Sequence, residues 1–374
     1  MKKLKIGIIT HNFPLSEKDR QNAGTFVYDF AKALNKKAKV VVFAPGAKDQ
    51  IKEIGGIKTY FFKFKEKLGD LRIYNPLHLF KLVYFFIKGK KALNRFINEN
   101  SDIDFILSMW AFPSGFFAYD IFRRKKIPYA IYSLGSDIYV YAKKPILKTL
   151  INTYLASAKF RIADSPDLSS EVKKISGKEA LFIPSSSDLR QAKSKIKVYS
   201  KKTTLTFLGR LEKIKGVDLF VDSLMTLKLD LQANIIGDGA LLNWVKQKAA
   251  ASSNIKVWGN VSNTRKISQI LNSSDWLVIP SRSDSIPLVF SESMKHNLPV
   301  ITSDLPDLKY LINKYKVGHT FKVGSIKDLT KVLKKTTDSK GDYSEYKRNT
   351  AKAAAFFDLN STSAKLIDLI SKNL

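Results

Sequence analysis

The stretch WLVIPSRSDSIPLVFSESMKHNLPVITSD, residues 276–304, sets an apolar run, a polar loop, a segment with helical spacing and a second apolar run in one line. Short continuous apolar runs rich in Trp, Val and Ile read as strands buried on both faces. The segment between them reads as a helix, with Pro287 at its first position, where a missing N–H costs nothing. The result is one strand–loop–helix–strand unit. Working outward, TLTFL (204–208), ANIIG (233–237), IKVWG (255–259) and GHTFKV (318–323) repeat about every 20–25 residues, with amphipathic stretches such as LLNWVKQKAA and RKISQILN between them. Strands that alternate with helices and are apolar throughout belong to a parallel sheet covered on both faces, a Rossmann-like domain.

The first half follows the same grammar. KIGII (5–9), VVVFAP (40–45), DFILSM (104–109) and YAIYSLG (129–135) read as strands, and TFVYDFAKALN carries apolar residues at helical spacing. A chain of 374 residues exceeds one ordinary core and suits two domains of roughly 150–200 residues each. The expected limits are 1–190 and 200–355, with a linker near 188–203 in a segment, 173–204, that shows no sustained periodicity. The end, 356–374, reads as a helix broken at 358–361 that leaves the second domain and packs on the first.

Composition narrows the chemistry. Zero cysteines exclude disulfides, thiolate metal sites and cysteine nucleophiles, and favour a cytoplasmic chain. The start, MKKLKIGIIT, has too few apolar residues before His11 for a signal peptide, and Leu82–Ile87 is far too short to span a bilayer. The net charge of +31 attracts phosphorylated ligands, anionic lipid or nucleic acid. Only 11 of the 64 basic residues are Arg, the side chain that reads bases by bidentate contact, so phosphate ligands and membrane surface outweigh nucleic acid. The four histidines, His11, His78, His296 and His319, are too scattered for a metal cluster. His296, near a helix C-terminus, is accounted for by the helix dipole.

Ligands of open parallel sheets bind outside the carboxyl ends of the strands, which points to three loops of the second half. FLGRLEKIKGVDLF (207–220) puts Arg210 and Lys215 between a strand and a helix start, where fixed charge and N–H donors suit a diphosphate; two solvated cations are the plain alternative. ANIIGDG ends in Gly237 and Gly239, which serve a tight turn or a close backbone approach. In the loop after WLVIP, Asp284 precedes Glu292, and at the helical rise per residue the two carboxylates stand about 10 Å apart. That separation is too long for a shared proton or a retaining-hydrolase pair, and it suits two hydroxyl-bearing ends of one ligand with an anionic middle. Ribose, diphosphate and hexose have that layout. A capping Asp284 and a solvated Glu292 remain the simpler reading. In the first half, Gly24 and Thr25 at a helix start, His11 in a strand-end loop, and Asp137 in LGSDIYVYA each stand where a ligand would meet the sheet, or where a surface loop and a helix cap would.

Taken together, FLGRLEKIKGVD, IIGDG and SSDWLVIPSRSDSIPLVFSESMKHNLPVITSD resemble the retaining glycosyltransferases of family four, over nearly the whole chain. The resemblance implies the GT-B fold: α/β, two Rossmann-like domains facing across a cleft, the first binding acceptor, the second binding the nucleotide-sugar, and a C-terminal helix crossing back. It implies that Arg210 and Lys215 hold the donor diphosphate, that Glu292 binds ribose hydroxyls and that Asp284 contacts the donor sugar, in an Asp-x7-Glu version of the family's Glu-x7-Glu element. Trp258 and Gly259 would meet the base, with Ile286, Leu288, Gly237 and Gly239 completing the donor site and Gly24 near phosphate and acceptor. His11 or Asp137 would take up part of the role of a family histidine, whose place is held by Leu134. No metal and no cofactor are implied beyond a UDP- or GDP-linked donor.

Residues 58–95 carry ten Lys or Arg, two acids and nine Phe or Tyr. Basic charge beside aromatic side chains suits an anionic membrane surface, and equally suits a helix whose apolar face packs on its own sheet. The membrane reading implies a peripheral protein on the inner leaflet and a polyprenyl-linked or other saccharide acceptor. The function expected is transfer of a sugar in envelope polysaccharide or glycolipid synthesis. The alternative is a catalytically silent nucleotide-binding protein of the same fold, prompted by Leu134, Asp284 and Ser285, which replaces the usual glycine.

Overall fold

The computed structural model describes residues 3–17, 24–66, 68, 71, 75–189, 191–193, 202–227, 231–338 and 341–374. Parts of the sequence stretches 11–26, 58–95 and 188–203 lie outside the described residues. The chain divides into two compact units, residues 1–184 with 359–374, and residues 185–358.

In the first unit, strands β1 (Lys5–Ile9), β2 (Lys39–Gly46), β3 (Gln50–Ile54), β4 (Ile57–Lys63), β5 (Phe105–Met109), β6 (Tyr129–Ser133), β7 (Phe160–Ala163) and β8 (Ala180–Phe182) form one sheet in the order β3-β4-β2-β1-β5-β6-β7-β8. All neighbours are parallel except β3 and β4. β1, β5 and β6 are buried along their whole length, as the continuous apolar runs require. Helices α1 (Thr25–Asn35), α2 (Pro76–Asn98), α3 (Ser114–Lys125), α4 (Ser136–Tyr139), α5 (Pro145–Ser157) and α6 (Pro166–Ser176) connect the strands.

Two readings of this half are corrected. The aromatics at the start of 58–95 are not on a helix: Tyr60, Phe61 and Phe62 lie in β4, buried between β2 and the antiparallel β3, and Phe64 and Phe85 join the same core. The segment 173–204, which lacks a readable period, contains the end of α6 and the three-residue strand β8. Both were hidden for one reason. A short strand or a hairpin inside a Lys-rich stretch gives too few alternations to register.

In the second unit, β9 (Thr203–Leu208), β10 (Leu231–Ile236), β11 (Ile255–Gly259), β12 (Trp276–Ile279), β13 (Val300–Ser303) and β14 (Gly318–Phe321) form an all-parallel sheet in the order β11-β10-β9-β12-β13-β14. Helices α7 (Val217–Thr226), α8 (Leu242–Ala249), α9 (Thr264–Asn272), α10 (Leu288–Lys295), α11 (Pro306–Tyr315), α12 (Ile326–Asp338) and α13 (Gly341–Ala354) alternate with the strands or follow them. Pro287 is the residue before α10 rather than its first residue, with φ −68° and ψ 144°. The final helix, α14 (Leu359–Asn373), is part of the first unit, where it packs on α1 and Lys36 Nζ donates to Asn360 Oδ1 at 2.9 Å.

Each sheet has a point where the chain reverses its direction of travel. β1 lies between β2 and β5, and β9 lies between β10 and β12. The carboxyl ends of β1 with β5, and of β9 with β12, are therefore where loops run apart and leave a crevice.

Candidate functional site

At the β9/β12 reversal, the loop Gly209–Gly216 meets the loop Pro280–Pro287. Gly216 closes the first loop in the left-handed region, φ 72°, and a Cβ there would sit 1.9 Å from the Pro280 carbonyl oxygen. Only glycine fits that approach. Arg282 completes the clamp: its backbone N–H donates to Ile214 O at 2.8 Å, and its guanidinium makes a bidentate pair with Asp218 at 2.7 and 2.8 Å and also reaches Lys213 O. A half-buried fork of this kind fixes direction as well as distance.

Between these ties, Lys215 Nζ donates to both oxygens of Asp284, at 2.6 and 2.8 Å. The two side chains are 21% and 17% exposed, so solvent screens them only in part. The residues expected to hold opposite parts of one ligand are thus an ion pair. Arg210, in contrast, is exposed and paired with Glu212 at 3.0 Å. Ile286 is buried, while Leu288 and Glu292 are half-buried on α10. The helix starts α7 and α10 receive no side-chain cap hydrogen bond, which leaves their first-turn amides to other acceptors.

His296 supports α10 from its C-terminal end. Its Nδ1 donates to Glu292 O at 2.7 Å, and its Nε2 accepts from Ser268 Oγ at 2.7 Å. Burial pushes its pKa down from the ordinary value. A helix dipole favours the charged imidazole, so the dipole reading of His296 is corrected: the ring is a neutral, two-ended hydrogen-bonding strut.

The second glycine loop packs on the first. A Cβ on Gly237 would lie 1.8 Å from Gly209 O, and Leu211 N–H donates to Asp238 O at 2.8 Å. The close approach that these glycines permit is therefore to the neighbouring loop. At the end of β11, Trp258 donates its indole N–H to Asn234 Oδ1 at 2.8 Å, with the Lys256 and Lys266 ammonium groups 4.0 and 5.0 Å from its ring centre. Gly259, φ 64°, follows it.

At the β1/β5 reversal of the first unit, His11, Trp110 and Ser114 come together. The His11 and Trp110 rings are 4.4 Å apart at 55°, and His11 Nδ1 is 3.4 Å from Ser114 Oγ. Trp110 has φ 72°, a rare conformation for a bulky residue. It is over-determined from three sides: Trp110 N–H donates to Tyr132 O, Ser108 Oγ donates to Trp110 O, and Ala111 N–H donates to Asp137 Oδ2 at 2.7 Å. Asp137 also accepts from Leu134 N–H at 3.2 Å and has no exposed surface. Its place is that of a tie between the β5 and β6 loops, which carries the strained turn. Burial raises its pKa to about 6 and lowers that of half-buried His11 to about 4, so the imidazole is neutral at pH 7. Gly24, φ 65°, begins α1 with no side-chain cap, against Asn12.

Sequence reading missed Trp110, Ser114 and Arg282. Arg282 was legible in principle, two residues before Asp284 in the same loop. Trp110 and Ser114 carry no signal, because neither a positive φ nor the adjacency of β1 to β5 is written in local pattern.

Residues 189–354 match the family model described as Glycosyl transferases group 1. A Bacillus subtilis (strain 168) protein, TuaC, named as a teichuronic acid biosynthesis glycosyltransferase, is 27% identical over 225 residues, 57% of this chain and 56% of its own. The chain thus spans about half the length of that relative. An Escherichia coli UDP-Gal:alpha-D-GlcNAc-diphosphoundecaprenol alpha-1,3-galactosyltransferase is 30% identical over 112 residues, 28% of each chain. Among solved structures, Anabaena Alr3699/HepE in complex with UDP superposes with a TM-score of 0.75 at 14% identity, covering 99% of this chain and 100% of the other. The fold is GT-B: α/β, with two Rossmann-like units.

Proposed function

We propose that the protein is a glycosyltransferase that moves a sugar from a nucleotide donor to a saccharide or lipid-linked acceptor in envelope polysaccharide or glycolipid synthesis. One observation carries this reading. The β9/β12 strand ends join two cations, Arg210 and Lys215, the uncapped start of α7, and two acids, Asp284 and Glu292, inside the region that matches the glycosyltransferase model. The UDP complex of Alr3699/HepE and the UDP-sugar named for the Escherichia coli relative support UDP as the first donor to test.

In the mechanism proposed, Arg210, Lys215 and helix amides stabilise the diphosphate as its bond to the sugar C1 breaks. The acceptor hydroxyl forms the new bond to C1 from the same face, with retention, and its proton passes to the departing diphosphate oxygen. The protein contributes position and fixed charge, and needs no nucleophile or metal of its own. Glu292 would take the ribose and Asp284 the sugar hydroxyls, while His11 and Trp110 would line an acceptor site of the first unit. A uridine ring would meet Trp258.

For the acceptor side the candidates are α2 and, separately, α5 of the first unit. With the β4 aromatics in the core, Leu77, Phe80, Val83 and Ile87 remain exposed beside Lys81, Lys88 and Lys90, and Ile146 of α5 is 80% exposed. This half-turned face suits the head-group layer of an anionic membrane. Among the described residues no helix is long and apolar enough to cross a bilayer.

A second reading, a silent nucleotide-binding protein, draws on the Lys215–Asp284 pair, which gives the phosphate-binding cation a counter-ion of its own. Turnover separates the two. Release of UDP from a UDP-sugar that falls at least 100-fold in Arg210→Ala and in Glu292→Gln supports the enzyme; tight UDP binding without turnover on any donor and acceptor supports the silent protein.

A further inference from the structure

The first unit holds a cavity of about 270 Å³ under the C-terminal half of α2, at the β3 edge of the sheet. It shares no residue with the strand-end cluster of His11, Trp110 and Ser114, and the inference drawn from it does not rest on the donor reading. Its floor is apolar, made by Phe43, Ile51, Tyr60 and Phe61. Its mouth is cationic: Lys88, Lys91 and Arg95, at i, i+3 and i+7, fall on one face of α2 and all line it.

The acids nearby are already engaged. Asp49 Oδ1 accepts from Lys63 N–H at 2.8 Å, and Glu99 takes Arg95 Nε at 2.6 Å together with the Tyr60 hydroxyl at 3.0 Å. Lys88 and Lys91 have no acidic partner among the described residues, and Lys88 rests 5.6 Å from the Tyr84 ring centre. A low-dielectric floor beneath two such ammonium groups favours an anion that brings its own apolar body. The helix also continues from this rim, through Ile87, 64% exposed, to Phe80, 71% exposed, so an aliphatic chain leaving the cavity meets apolar surface instead of water.

We propose that this cavity is a binding site for a single-chain amphipathic anion, an aliphatic phosphate monoester whose head lies between Lys88 and Lys91 and whose chain contacts the Phe43–Phe61 floor. The volume is at the small end of ligand pockets and suits a chain segment better than a sugar nucleotide.

Isothermal titration of the full chain with decyl phosphate, held below its micelle concentration, tests this. Inorganic phosphate is the head-only probe and decyl glucoside the chain-with-neutral-head probe. One-to-one binding of decyl phosphate is expected, at least tenfold tighter than either control, and at least tenfold weaker in Lys88→Glu/Lys91→Glu and in Ala92→Trp, which fills the cavity. Lys91 is exposed, so Lys91→Glu alone, with an unchanged thermal melt, keeps the test readable where Ala92→Trp fails to fold. Equal affinity for inorganic phosphate, equal affinity for decyl glucoside, or undiminished binding in the lysine variants would overturn the proposal.

Discussion

Lys215 and Asp284 each satisfy the other, so on the proposed reading an incoming diphosphate would exchange one anion for another at Lys215 instead of meeting a bare cation. Asp284→Asn removes that competitor. UDP is predicted to bind about fivefold more tightly to this variant, near the ~1 kcal/mol scale of a partly exposed pair, and transfer is predicted to fall, since the proposed role of Asp284 is to hold sugar hydroxyls. Calorimetry and a turnover assay read the two effects; weaker UDP binding would show that the pair positions Lys215. A second prediction concerns His11 and Asp137. Asp137 has a raised folded pKa, so its carboxyl stabilises less as pH rises from about 4 to about 6, a change on the order of 3 kcal/mol for so buried a group. His11 has a lowered folded pKa, so its contribution is complete above pH 6.5 and is lost as pH falls towards 4. The two slopes oppose each other over the same window. In unfolding experiments across pH 4–6.5, Asp137→Asn should expose a stability that falls on acidification, and His11→Asn one that rises.

Among the elements, the clamp around α7 and the outer face of α2 make the clearest claims. Gly216→Ala places a methyl group against the Pro280 carbonyl at a left-handed φ, and is predicted to cost the second unit 2–3 kcal/mol or more, about the scale of a strained backbone site, and to abolish UDP binding. A thermal melt and a titration of the same sample decide it. For α2, Phe80→Ser/Ile87→Ser should lower sedimentation with phosphatidylglycerol vesicles at least fivefold without changing the melt, since both side chains are already exposed. The strands and helices that frame these sites were legible because β9 to β14 are short β-prone runs between polar loops, with WLVI of β12 apolar throughout. The β3–β4 hairpin was not legible. Its lysines imitate the solvated side of an amphipathic helix, and its aromatics imitate an interface.

For the molecule as a whole, the sequence order of strands says that two Rossmann-like units exist, while the spatial order says which strand ends lie together in each. The positions of β1 beside β5 and of β9 beside β12 turn four separate loops into two strand-end clusters. Arg210, Lys215 and Asp284 could be named as candidates from the strand-end loops, and Glu292 from the helix that follows, because strand ends are where such charges collect. Their pairing could not, since Lys215 and Asp284 are 69 positions apart and meet only through the sheet. Trp110 shows the same limit from the other half, as its strained turn depends on Asp137 in a later loop. The central claim is that the β9/β12 crevice holds a nucleoside diphosphate. Calorimetric titration of the purified chain with UDP, GDP and ADP tests it most directly. Saturable one-to-one binding of at least one of them, weakened tenfold or more by Arg210→Ala and by Glu292→Gln, is predicted; no binding by any of the three, or binding indifferent to both substitutions, would contradict it.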